Sequence, residues 1–73
     1  MNPEIDKLVN EMLVKARHYV KAITARDEAL AAACQSDSKE AEVRWVATSE
    51  AAERAHDDYY AAVHALRAAR EKR

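Results

Sequence analysis

Glycine is absent from all 73 residues, and the one proline is Pro3. Tight hairpin turns lean on these two residues, and both are poor inside helices. A chain without them, rich in alanine, is steered away from β-hairpins and towards helix. Phenylalanine is absent too. One cysteine, Cys34, excludes an internal disulfide, and no paired Cys/His set with zinc spacing is present. The lone thiol fits a reducing compartment, and the expected location is the cytoplasm. No apolar run approaches the roughly 20 residues that span a bilayer, so no membrane is expected. The stretch from Met1 to Asp6 lacks the basic and apolar regions of a secretory signal, and none is expected there.

Charge of one sign is also missing. Twelve basic residues face thirteen acidic ones, for a net charge of -1. Nucleic-acid binding needs a positive footprint that displaces counterions, so it is not expected. Local basic runs at Lys15, Arg17, Lys21 and Arg26, and at Arg67, Arg70, Lys72 and Arg73, read as charge balance between faces. At this length there is one domain, residues 1–73, and a single core is small enough that a partner or a second copy helps.

What is present is helical periodicity. Asn2 can cap a first helix, Pro3 suits its first position, and Glu4 and Asp6 complement its positive end. Apolar residues recur by threes and fours from Ile5 through Leu8, Met12, Tyr19 and Ile23 to Leu30. The chain predicts helix 1 over 3–34, a turn over 35–38 and helix 2 over 39–71. The turn is Gln35-Ser36-Asp37-Ser38, the one cluster of cap and turn formers. Asp37 with Glu40 has capping-box spacing, and Ser36 or Ser38 can cap instead. The second stripe runs Val43, Trp45, Val46, Ala52, Tyr59, Val63 and Leu66. Glu11 with Lys15, Glu40 with Arg44, and Glu50 with Arg54 are spaced as i,i+4 pairs.

These elements predict an all-α fold, an antiparallel two-helix hairpin. The apolar stripes are wider than one seam: Leu8, Leu13 and Val20 lie beside the main line, and Trp45/Val46 and Tyr59/Tyr60 each project about 100° apart. Two hairpins packed as a four-helix bundle would cover the surplus, so a homodimer is expected. Tyr19, Ile23, Tyr59, Tyr60 and Val63 are assigned to the seam or the dimer contact.

No nucleophile, base and orienting group come together in the spacing, and the expectation is a protein that is not an enzyme and carries no cofactor. Glu53 and His56 match Glu-x-x-His, the ligand pair of di-iron bundles. Folding about residues 36–37 sets Glu53 near Val20, far from Glu11 and Glu28, so no metal is expected. His56, Tyr60 and His64 recur every four residues as a semi-polar ladder, which His18 can meet across the hairpin. Trp45 falls near Arg26 and Asp27, where the first stripe is interrupted. Tryptophan and arginine are enriched at binding hot spots. Trp45 is therefore the expected anchor of a protein-binding surface, with Arg26, Asp27 and Ser49 at its rim.

The length, the two-helix layout, the polar turn in the mid-thirties and Trp45 early in helix 2 resemble a family of small phage-encoded quorum-sensing anti-activators. Where that family leads one to expect an aromatic just after the turn, this chain has Lys39. The resemblance implies a dimeric helical hairpin that acts as an inhibitor. Its partners would be host proteins, a LuxR-type transcriptional regulator and a pilus assembly ATPase, met in the host cytoplasm.

Overall fold

The structure, a computed structural model, describes residues 2–72. It holds two helices, α1 (Pro3–Gln35) and α2 (Lys39–Glu71), joined by Ser36, Asp37 and Ser38. Each helix has 33 residues and so runs about 50 Å. The hairpin is a rod measuring 55 × 15 × 12 Å. Among the described residues there is no strand, and no helix is long and apolar enough to cross a membrane.

Both helix starts are side-chain caps. The Asn2 side-chain oxygen accepts from the Glu4 amide at 3.0 Å and the Ile5 amide at 3.4 Å. Two amides that the helix itself leaves unpaired are thereby satisfied. At α2 the cap is Ser38, whose hydroxyl oxygen accepts from the Ala41 amide at 3.4 Å. The capping box of Asp37 with Glu40 does not form. Asp37 lies one residue too early, because Ser36 and Ser38 take extended backbone on either side of it. Ser36 accepts from the Ser38 amide at 3.1 Å and braces the corner. No described residue has positive φ. The chain thus reverses without glycine over three non-helical residues, of which Ser36 and Ser38 are extended, and Gln35 joins α1 instead of the turn.

The helices pack through a seven-residue repeat. On α1 the inward positions are Ile5, Leu8, Met12, Lys15, Tyr19, Ala22, Arg26, Ala29 and Ala33. On α2 they are Ala41, Trp45, Thr48, Ala52, Ala55, Tyr59, Ala62, Leu66 and Ala69. Both series alternate steps of three and four, the spacing of a left-handed helix pair. Residues equidistant from Asp37 stand level across the seam, as Leu8 with Leu66 and Ala29 with Trp45. The tertiary contacts agree with this register: Tyr19 meets His56 at 5.4 Å between ring centroids.

The seam is graded. Towards the open end it holds Ile5, Leu8, Met12 and Leu66; towards the turn it is mostly alanine. Ala29 is 0% exposed, Ala52 3% and Leu66 8%, and these three are the buried core. No large side chain is fully buried. Lys15 and Arg26 hold inward positions and are half-buried, which their alkyl stems permit while the charged heads reach water. Thr48 donates its hydroxyl to the carbonyls of Arg44 at 2.9 Å and Trp45 at 3.0 Å, so it adds no orphaned polar group to the seam.

Three sequence expectations are corrected. Leu8 is expected beside the main line of the first stripe, but it takes an inward position level with Leu66. Val43 was placed in the second stripe, but it is 59% exposed, because its position in the repeat points directly away from α1. The pairs Glu11–Lys15, Glu40–Arg44 and Glu50–Arg54 do not close. The ion pairs among the described residues are Arg26–Asp27 and His56–Asp57. Long exposed side chains gain little from pairing in water and lose rotamer freedom by it.

Candidate functional site

The repeat decides which side of the rod is apolar. Beside the seam, one flank carries Val9, Ala16, Ile23 and Leu30 from α1, with Ser49, His56 and Val63 from α2. One step further round the same flank come Leu13 and Val20, and Val46 and Tyr60. In an antiparallel helix pair these positions of the two helices share one side. The opposite flank carries Glu4, Glu11, His18, Arg44 and Asp58, broken by small alanines.

Burial follows that division. Val9, Ile23 and Val63 are half-buried under the partner helix, whereas Leu13, Val20, Leu30, Val46 and Tyr60 are exposed. Val20, at the centre, is 62% exposed. Five large apolar side chains thus open to water along one face. The face also holds four carboxylates: Asp6 at the open end, Glu53 level with the centre, and Asp27 and Glu42 towards the turn. Val14 and Val43 are exposed as well but stand apart on the outer sides of the rod.

An aromatic and imidazole ladder runs from the seam onto this face. Tyr19 and Tyr59 stack with ring centroids 6.0 Å apart and planes inclined by 22°. Tyr59 meets Tyr60 edge-on at 5.7 Å. His56 lies 4.4 Å from Tyr60, and Tyr60 lies 6.5 Å from His64. The four-residue spacing of His56, Tyr60 and His64 therefore does make a ladder. Its partner across the hairpin is Tyr19 and not His18, which is exposed on the opposite flank. His56 Nδ1 is 3.4 Å from Asp57 Oδ1 on an exposed stretch of helix.

Of the four residues assigned to a binding surface, Arg26 and Trp45 hold inward positions and Asp27 and Ser49 stand on this flank, all on the turn half of the rod. Trp45 holds an inward position level with Ala29, yet alanine is too small to cover it, and 36% of it stays exposed. Ser49 is half-buried one turn further along α2. Arg26 donates from Nη2 to Asp27 Oδ1 at 3.2 Å and from Nε at 3.4 Å. That pair is 40% and 62% exposed at its side chains and contributes at most about 1 kcal/mol. Of the residues given to the seam or dimer contact, Tyr19 and Tyr59 are in the seam, Ile23 and Val63 on its flank, and Tyr60 is on the open face.

The turn-side alanines of the seam, and Leu30 as part of the open face, escaped the reading by hydrophobicity. Their signal is the strict alternation of threes and fours, which alanine obeys as well as leucine does. Among the described residues no three histidine, cysteine, aspartate or glutamate side chains converge to hold a metal ion. Cys34 is exposed near the turn. The hollows on the surface are grooves along one helix, such as that between Leu13, Val20 and Lys21, or shallow gaps at the seam, as beside Met12 and Leu66. Side chains here can present apolar area, aromatic edges and a few charges; they do not aim at a common point. No family model, curated protein or solved structure matches the chain.

Proposed function

We propose that this chain is a non-enzymatic protein-binding module that works by laying one face of a rigid helical hairpin against another protein. The observation that carries this reading is the segregation of Leu13, Val20, Leu30, Val46 and Tyr60 onto one side. Contiguous exposed apolar surface rimmed by polar residues is the mark of a protein contact, and singly scattered apolar residues are not. Such a module acts as an inhibitor or adaptor by covering its partner's surface, and it needs no reacting group of its own.

A narrower form of the reading gives the turn half of the face the anchoring role. Trp45 is large, partly open and flanked by Arg26, Asp27 and Ser49, the composition of a hot spot with a polar rim. The resemblance in layout would then make the partner a larger regulatory protein of a bacterial host.

The test is proximity crosslinking in the source cell. A photoactivatable residue replaces Val20 or Trp45 on the face, and Val43 on the outer side as control. Adducts at Val20 and Trp45 but not at Val43 are expected. Equal yields at all three positions sink the docking face, and adducts at Val20 alone sink the anchoring role of Trp45.

A further inference from the structure

Resting on that reading of the face, we infer that its occupant is a single amphipathic helix of a partner protein, with carboxylates along one flank of its apolar stripe and cations along the other. The shape of the face is the first support. Leu13 and Val20 on α1, and Val46 and Tyr60 on α2, stand exposed as two walls. Between them the half-buried Ala16, Ile23, Ser49 and His56 form the floor. A third helix laid against two neighbours packs into a groove of this kind. From Leu13 to Leu30 the α1 wall runs about 26 Å, which a helix of about 18 residues covers. An extended strand does not suit the groove. The backbone groups of α1 and α2 are paired within each helix, so a strand would press unpaired amides and carbonyls onto apolar side chains.

Charge is the second support. Residues 12–26 of α1 hold Lys15, Arg17, Lys21 and Arg26 and no carboxylate. Level with them on α2, residues 48–62 hold Glu50, Glu53, Asp57 and Asp58 against Arg54. The middle of the rod is therefore positive along α1 and negative along α2. The charges nearest the groove keep the same division. Arg17 stands between Leu13 and Val20, just outside the α1 wall; Glu53 stands in the α2 wall, with Glu50 and Asp57 just outside it. All four are exposed. Among the described residues Arg17, Glu50 and Glu53 make no ion pair, and Asp57 has only His56 at 3.4 Å. The signs mix at the ends, where Asp6 lies with Arg67 and Arg70, and Asp27 and Glu42 with Arg26 and Lys39, so charge selects over the middle. A helix seated there sets its carboxylates towards α1 and its cations towards α2. The order of the two flanks on the partner then sets which way it runs.

The test is fluorescence anisotropy of labelled peptides of about 18 residues with the full chain. Three probes share one leucine stripe: the first has glutamates on one flank and lysines on the other, the second lysines on both, the third glutamates on both. The mixed probe is expected to bind about tenfold more tightly than either of the others, and its lead shrinks as salt rises. Arg17→Glu makes both sides of the groove acidic. It should weaken the mixed probe and tighten the all-lysine probe by about fivefold each, the scale of one exposed ion pair. Glu53→Lys should weaken the mixed probe and tighten the all-glutamate probe to the same extent. Both positions are exposed, so neither variant disturbs the seam. Probes that bind alike, or an order that both variants leave unchanged, overturn the inference. So does a chain that binds none of the three. A dimer in sedimentation that Val20→Asp dissociates overturns it as well, since a second copy then holds the face. Where the peptides fail, crosslinking of Val20 to another protein leaves the docking reading standing, and no such adduct removes both.

Discussion

Replacing Leu66 by alanine should be the most damaging single truncation in the seam. Leu66 is the one large apolar side chain among the three buried residues, at 8% exposed. It stands level with Leu8, in the part of the seam built from larger side chains. The truncation removes three carbon groups at about 0.8 kcal/mol each, or about 2 kcal/mol of transfer energy. The gap left behind adds little, because it lies beside a groove lined by Met12, Val63 and Arg67 that water can enter. A loss of about 2–3 kcal/mol is expected, the low end for leucine to alanine. In a chain of this size that lowers the melting temperature by roughly 8–24 °C. The assay is thermal unfolding by far-UV circular dichroism. Protein concentration is held constant, since any self-association ties the midpoint to concentration. Val43→Ala is the control, because Val43 is 59% exposed on the outer side and should shift stability by less than about 0.5 kcal/mol. Equal losses in the two variants refute the register of the seam.

Two further outcomes follow from local geometry. Ser38→Ala should cost about 1 kcal/mol by removing the cap on the Ala41 amide, whereas Asp37→Ala should be close to neutral; chemical denaturation of both variants checks this, and the reverse order would restore the capping box. A double-mutant cycle on Tyr19→Leu and Tyr59→Leu should return a coupling of about 1 kcal/mol for the stacked rings, and additive effects would show that the rings do not stack in solution.

The architecture was legible because absences are strong evidence about backbone. Without glycine, and with proline confined to the cap, 73 residues offered one break and two helices. Asn2 and Pro3 gave the start of α1 correctly for the physical reason they were chosen. The turn was placed to within one residue, Gln35 belonging to α1, and its cap was not resolved, since Ser36, Asp37 and Ser38 all carry a suitable oxygen and only backbone geometry selects among them. The seam was harder. Hydrophobicity drew attention to Val43, which faces out, and passed over Ala22, Ala55 and Ala62, which face in. Alanine is a helix former before it is a core residue, so its presence at inward positions is visible only through spacing. The open face was half legible. Leu13, Val20, Val46 and Tyr60 stood out as surplus apolar width. That they share one side follows only when both helices are given a common register about Asp37. Arg26 and Asp27 pair with each other, and Trp45 and Ser49 stand on the same half of the rod. What they bind is not encoded in spacing, because many partners suit the same apolar and aromatic groups.

The proposed docking makes one side of this rod a protein-contact face and leaves the other side open to water. Methyl NMR of the labelled full chain in a lysate of the source cell, with a soluble paramagnetic agent, tests it directly, because the chain carries its own controls. Val20 and Val46 project from the docking face, while Val14 and Val43 project from the outer sides, and all four are exposed in the single hairpin. The account predicts that the methyl signals of Val20 and Val46 are protected while those of Val14 and Val43 are strongly broadened. Equal broadening at all four positions would contradict it, since the face would then be as open to solvent as the rest of the rod.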